Sequence, residues 1–479
     1  MLHLTELIDI YQGTFDPEIR GLTQDSRQVQ AGWLFAAIPG AKGDGRAYIQ
    51  DAVSKGAVAI LATPGTHIPP GVAFVSHENP RFVLSVMAAR FYARQPEMIA
   101  AVTGTNGKTS TAIFTQQIWQ ALGYKAASIG TLGLRGDAGE RYGSLTTPDP
   151  VTLHATLSSI AGAGVTHLAM EASSHGLDQH RLDHIKVKAA GFTNLTRDHL
   201  DYHSTMEEYQ AAKVRLFGNV LMPGGVAVIN ADVPEFEFIK AACLRRNIRV
   251  WGYGVKGTEL RLIERKALPG GQATTLEIFG KRYDLTIPLV GSFMLMNALC
   301  ALGMVLGQDS ARQDDAVAAL ATLQGAPGRL QLVPGHPKNA AVYVDYAHTP
   351  DALQNVLEAL RPHTQNRLLC LVGCGGDRDP GKRPIMGKIA ADLSDLAIIT
   401  DDNPRTEDAT KIRAAVMAGA PDAKEIGGRR EAIQWAVAQL QEGDVLVLAG
   451  KGHEQGQIIG TTIEPFDDLV EAKNAIESV

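Results

Sequence analysis

The chain has 479 residues, about three domains' length at the usual ~150 residues per domain, so it buries several cores. With 45% hydrophobic and 20% charged residues, 49 glycines and 23 prolines, the composition excludes a disordered, collagenous or coiled-coil chain. A formal charge of −6, from 45 basic and 51 acidic residues, gives no global attraction to nucleic acid or to an anionic membrane, while a local basic pocket for a small anion stays open.

Cys243, Cys300, Cys370 and Cys374 form no C-x-x-C pair and are too few for a disulfide scaffold, which fits a reduced, cytoplasmic compartment. The N-terminal MLHLTELIDIYQGTFDPEIR reads neither as a secretory signal nor as an anchor, and no run approaches the ~18 apolar residues of a membrane span.

Three blocks follow along the chain. Residues 1–95 mix the strand-like GWLFAAIPG, AVAILATPG and VAFVS with Gly/Pro turns and close on a helical FVLSVMAARFYARQP, expected to end at Pro96. Residues 96–330 open on MIAAVTGTNGKTS and continue through THLAMEASS, KAAGFTNLT, GGVAVINAD and RVWGYGV. Such strands alternating with amphipathic stretches predict a mostly parallel sheet, with ligands at the carboxyl ends of its strands. Residues 331–479 repeat the grammar in AAVYVDYAH, a helix over 350–360, RLLCLVGCGG, a helix from Arg383, LAIITDDNP, a helix from about Glu407 and DVLVLAGKGHE, predicting four strands in a second doubly wound sheet. The expected fold class is therefore α/β: a small N-terminal α/β unit, a central mostly parallel sheet and a C-terminal doubly wound sheet.

The segment Gly104-Thr105-Asn106-Gly107-Lys108-Thr109-Ser110 lies between an apolar strand and a helix. Backbone N–H groups in such a turn cradle phosphate oxygens, Lys108 would neutralise them, and the Thr109 hydroxyl would ligate magnesium. The usual loop has a glycine six residues before the lysine. Here Val102 occupies that place and Gly104 serves a shortened loop; a turn that merely uses glycine is the bland alternative.

MEASSHGLDQHR delivers Glu171 at a strand end, and NLTRDHLDYH delivers Asp198, His199, Asp201 and His203. Oxygen ligands there suit magnesium, the His/Asp spacing also resembles zinc ligands, and a capped turn remains open as well. Lys213 lies beside an apolar stripe and by pattern alone is a snorkelling surface residue. Near the C-terminus, VDYAHTPDAL ends a strand on Asp345. GCGGDRDPGKRP brings Arg378, Lys382 and Arg383 into one loop, or is only a solvated basic loop. In DDNPR, Pro404 stiffens the backbone around Asn403 and Arg405, whose guanidinium could read a carboxylate.

Taken together, GTNGKT, MEASSHGLDQHR, NLTRDHLDYH, Lys213, GSFMLMNALCAL, GAPGR, VDYAHTPDAL and GCGGDRDPGKRP resemble the Mur ligase family of ATP-dependent amide-bond ligases over nearly the whole chain. Within that family, DNPR is similar to the motif of members that add meso-diaminopimelate to UDP-N-acetylmuramoyl-L-alanyl-D-glutamate. The resemblance implies three domains, a small N-terminal α/β domain gripping the UDP end, a central P-loop ATPase-type domain and a C-terminal Rossmann-like domain presenting the amino acid, in a cytoplasmic monomer with ATP and Mg2+ as cofactors.

Carried over by position, it implies that Gly104 to Ser110, Asn297, Arg329 and Asp345 contact ATP, that Glu171 and His199 surround magnesium, and that Lys213 is carbamylated to an anionic metal ligand. It implies UDP-sugar contacts from Gln24, Ser26, Ala41, Lys42, Gly43, Thr146, Thr147, Ser173, Gln179 and Arg181. For diaminopimelate it implies Arg378, Asp402, Asn403, Pro404, Arg405, Gly450 and Glu454. A Mur-type ligase adding lysine, a relative adding glutamate to a folate, a nucleotide switch and a zinc hydrolase built on DHLDYH are the competing readings.

Overall fold

The structure, a computed structural model, describes residues 2–40, 43–141, 143, 145–196 and 202–479. These fall into two compact units: Met1–Trp251 with Gly303–Ala311, and Gly252–Leu302 with Arg312–Val479.

Unit one holds two sheets. In the first, Gly21–Thr23, Trp33–Ala36, Ala59–Ala62 and Ala73–Ser76 run parallel in that order. Alternation along the second and third strands splits the core: Leu34, Ala36 and Leu61 pack with Val83, Leu84 and Met87 of helix Pro80–Tyr92, whereas Phe35 and Ile60 pack with Ile49 and Ala52 of helix Ile49–Ser54. Helix Pro80–Tyr92 stops before the expected Pro96, because Ala93 already turns to a positive φ of 50°.

The second sheet of unit one has the order Val226–Asn230, Val187–Phe192, Met98–Thr103, His167–Glu171, Ala126–Gly130, Gly133–Gly136, parallel except for the last pair. Met98–Thr103 is buried at each position, as a strand covered on both faces must be, which accounts for its unbroken apolar sequence. Register sets Glu171 beside Val102, so the carboxyl ends of these strands and the start of helix Lys108–Ala121 open at one edge.

Unit two departs from the expected parallel grammar. Leu260–Leu268, Gly271–Ile278 and Lys281–Ile287 form an antiparallel meander. Its connections are two residues long, and the second, Phe279 and Gly280 at φ 48° and 79°, twists as a tight hairpin requires; parallel strands need a far longer crossover.

The C-terminal sheet has the order Gln331–Val333, Ala341–Asp345, Val445–Ala449, Leu368–Val372, Leu396–Ile399, Lys424–Glu425. It contains the four predicted parallel strands plus an antiparallel edge strand and a two-residue one. Helices Pro350–Leu360, Lys382–Leu393 and Ala409–Met417 follow strands as expected. The hairpin Gly456–Ile459 with Thr462–Pro465 was not predicted. All four cysteines are buried and unpaired with one another, and among the described residues no helix is long and apolar enough to cross a membrane.

Candidate functional site

In unit one the loop after Met98–Thr103 is shaped by two glycines. Gly107 caps helix Lys108–Ala121 at φ 88°, so the helix N-terminus, where the macrodipole is positive, begins directly at the loop. Gly104 sits at φ 147°, and a Cβ there would stand 1.9 Å from Thr193 Oγ1, so only glycine lets the two strand ends approach. Thr193 Oγ1 donates to the Asn106 carbonyl at 2.6 Å and the Asn106 N–H donates to Asn194 Oδ1 at 3.0 Å, which holds the loop shape. Lys108 Nζ donates to the carbonyls of Gly104 and Thr105 at 2.9 and 2.7 Å, folded back over the loop.

Glu171 is 2% exposed and gathers donors. Its Oε1 accepts from the Thr109 hydroxyl at 3.0 Å and from the Thr131 N–H at 2.8 Å, while Oε2 accepts from the Thr131 hydroxyl at 3.2 Å. A hydroxyl and a carboxylate oxygen meeting beside a phosphate-type loop form a donor set suited to a hard divalent cation. Lys213 corrects the surface reading: it is 1% exposed, donates to the Gly104 carbonyl at 2.7 Å and lies 4.3 Å over the Tyr209 ring. Tyr209 in turn places its hydroxyl 3.2 Å from Thr105 Oγ1.

A small cleft in the same unit brings together Gln24, Arg81, Gln179 and Arg181. Arg181 donates to the Thr147 carbonyl and to Gln179 Oε1, each at 2.7 Å, and burial pulls its pKa down. The Thr147 hydroxyl donates to the Glu171 carbonyl and accepts from the Ser173 N–H, and Thr146 Oγ1 lies 3.0 Å from Thr131 Oγ1; thus the threonine pair, Ser173 and Glu171 are one network. Ser26 is buried, its carbonyl taken by Lys55, and Gly43 accepts from the Gly40 N–H. Ala41, Lys42, Asp198, His199 and Asp201 lie outside the described residues.

Unit two supplies a second constellation at the ends of its parallel strands. Asp345 accepts the N–H groups of Leu330 and Ala347 at 2.7 and 2.8 Å; burial raises its pKa, opposed by the nearby Arg329 and by these bonds. Arg329 stacks over Tyr346 at 4.7 Å. Asn297 is buried on helix Ser292–Leu306. Asp402 and Asn403 are buried, and Asn403 Nδ2 donates to Glu454 Oε2 at 2.9 Å. Arg405 follows Pro404 with a positive φ of 53° and donates through Nη1 to the Gly376 carbonyl at 2.8 Å. Gly450, at φ 116°, donates its N–H to the Asp345 carbonyl. In the basic loop Arg378 is exposed, but Arg383 is buried against Glu407 at 2.8 Å, so the solvated-loop alternative holds only for part of it.

Sequence reasoning missed Thr131, Thr193, Tyr209 and Lys451. Only Lys451 left a signal, a lysine between two glycines directly after a buried strand.

Family models described as the Mur ligase family catalytic domain, the Mur ligase middle domain and the Mur ligase glutamate ligase domain match residues 18–104, 102–305 and 328–452. A protein of Caulobacter vibrioides (strain ATCC 19089 / CIP 103742 / CB 15) called UDP-N-acetylmuramoyl-L-alanyl-D-glutamate--2,6-diaminopimelate ligase is 52% identical over 483 residues, covering 99% of each chain. One of the same name from Chelativorans sp. (strain BNC1) is 52% identical over 459 residues, covering 96% of this chain and 95% of its own. A solved structure of a ligase so named superposes with a TM-score of 0.76 at 33% identity, covering 100% of this chain and 99% of the other. The ADP complex of a MurF ligase from Thermotoga maritima, at 18% identity, TM-score 0.60 and coverage of 96% and 98%, shares the fold.

Proposed function

The chain belongs to the Mur ligase family, with its three-domain α/β architecture, and from that premise we propose that it is the ATP-dependent ligase joining meso-diaminopimelate to the D-glutamate carboxylate of UDP-N-acetylmuramoyl-L-alanyl-D-glutamate in peptidoglycan precursor synthesis. Residues 1–95 bind the UDP-sugar, 96–330 bind ATP and 331–479 present the amino acid, in a cytoplasmic monomer.

The D-glutamate carboxylate oxygen attacks the γ-phosphorus of ATP, the bond to the bridging oxygen breaks, and ADP departs from an acyl phosphate. The neutral amine of diaminopimelate then attacks the acyl carbon; the C–O bond to phosphate breaks, the amine loses a proton and the amide remains. Phosphoryl transfer of this kind needs alignment and charge neutralisation, which suits the loop Gly104–Ser110 with Lys108 and makes a nucleophilic Ser or Cys unnecessary. Magnesium, when bound, would be held by Thr109, Glu171, His199 and a carbamylated Lys213 and would neutralise phosphate charge. Asn297, Arg329 and Asp345 contact the nucleotide. Gln24, Ser26, Ala41, Lys42, Gly43, Thr146, Thr147, Ser173, Gln179 and Arg181 hold the UDP-sugar, a role supported by the meeting of Gln24, Gln179 and Arg181 in one cleft.

The observation that carries the choice of amino acid is the loop Asp402–Arg405, buried at Asp402 and Asn403 and bonded to Glu454, with Arg378 and Gly450 on neighbouring strand ends. A guanidinium reading the second carboxylate of diaminopimelate would be left unpaired by lysine. Phosphate release from ATP with the UDP-dipeptide, measured with meso-diaminopimelate, L-lysine or no amino acid, tests the reading. Release with diaminopimelate alone is expected; release with lysine instead would overturn the specificity, and release without either would point to a nucleotide switch.

A further inference from the structure

The amino-acid pocket contains a fully buried cation with no role in the reading above, on which this inference rests. Lys451 is 0% exposed. Its Nζ donates to Asn403 Oδ1 at 3.1 Å, Glu454 Oε2 at 3.2 Å and the Gly456 carbonyl at 2.7 Å, and lies 3.7 Å from Asp402 Oδ1. An ammonium has three N–H groups, so these three acceptors use them all and leave none to donate to a substrate. Lys451 therefore acts through its neighbours.

Those neighbours are the residues that would read the amino acid. Asn403 Oδ1 also accepts the Ile458 N–H at 3.0 Å, which together with Lys451 fixes the amide orientation and points Nδ2 at Glu454. The hairpin that Lys451 ties down at Gly456 continues the grip: Gln457 Nε2 donates to the Asp402 carbonyl at 2.6 Å, the Arg405 N–H donates to the Ile458 carbonyl at 3.0 Å, and the Gly460 N–H donates to the Arg405 carbonyl at 2.7 Å. These bonds hold Arg405 in the left-handed region, which a non-glycine residue keeps only when its surroundings impose it.

We propose that Lys451 and the hairpin Gly456–Pro465 form a specificity clamp, in which Lys451 is a positioning residue that sets Asn403, Glu454 and the backbone of Arg405 at the spacing that selects a diamino diacid over a diamino monoacid. Without its ammonium, the carboxylates of Asp402 and Glu454 lose the counter-charge nearest to both, leaving them the more distant Arg429, and the hairpin loses its anchor at Gly456.

The test is steady-state kinetics of the full-length enzyme carrying Lys451→Met or Gln457→Ala, with meso-diaminopimelate and L-lysine. Lys451→Met should raise KM for diaminopimelate about tenfold or more and narrow the kcat/KM preference over lysine by a similar factor, leaving KM for ATP and for the UDP-dipeptide within about twofold. Gln457→Ala should move the same quantities in the same direction by roughly threefold to fivefold. Unchanged KM and preference in both variants would overturn the clamp, as would an equal loss for all three substrates, the signature of a merely structural lysine. Should Lys451→Met fail to fold, Gln457→Ala, which leaves the buried cation in place, decides alone. A wild-type enzyme releasing no phosphate with diaminopimelate would instead sink the underlying reading.

Discussion

Arg405 and Gly104 both announce themselves through their immediate neighbours in the chain. Arg405→Ala removes the only guanidinium of the DNPR loop; we expect kcat/KM for diaminopimelate to fall by roughly 10³-fold while ATP affinity, read by nucleotide titration, stays put. Gly104→Ala would drive a methyl into Thr193 Oγ1, and nucleotide binding should fall at least tenfold, about 1.4 kcal/mol, in the same titration. The local geometry of both was legible in the sequence, because a glycine-rich turn before Lys-Thr and a proline-stiffened Asn-Pro-Arg announce a shaped loop in local order. The burial of Lys213 and Lys451 was not, although the resemblance singles out Lys213. A pattern shows which residues flank a lysine; burial depends on chain segments distant in sequence, here the carbonyl of Gly104 for one and Gly456 with Asn403 for the other.

At the scale of elements, strands covered on both faces and helices opened by a cap or proline were readable, as Met98–Thr103 and Pro350–Leu360 show. The meander from Leu260 to Ile287 escaped because its solvent-facing residues break up the apolar runs, while the signal that remained, two short Gly turns, was outweighed by the repeating parallel pattern on either side. Packing between helices was equally hidden. Arg429, opening helix Arg429–Ala438, pairs with Asp468, opening helix Asp468–Glu477, at 2.6 Å with both side chains 0% exposed. Asp468→Ala would strand a buried guanidinium, and chemical denaturation should report a loss of about 3–5 kcal/mol.

For the molecule as a whole, pH stability has a traceable source. His154 is buried, its Nε2 has no hydrogen-bond partner among the described residues, and burial pushes its pKa down to about 4 from 6.5. Between those values the unfolded chain binds more protons than the native one, so stability is complete above pH 6.5 and falls as pH drops toward 4. His167, also lowered to about 4 by burial, adds to the slope. Unfolding free energy from chemical denaturation should decline from pH 7 to 5, and His154→Gln should flatten that decline by up to about 2 kcal/mol. Within unit two, Gly328 and Gly452 let two loops touch so closely that a Cβ on Gly328 would lie 2.3 Å from the His453 nitrogen, and Tyr346 sits against both Arg329 and His453. One side of that contact carries groups proposed for the nucleotide, the other groups proposed for the amino acid. Thermodynamic linkage then makes the two ligands answerable to each other: whatever factor ADP or ATP contributes to diaminopimelate affinity, diaminopimelate must return to the nucleotide, and enlarging Gly328 should diminish both by the same amount.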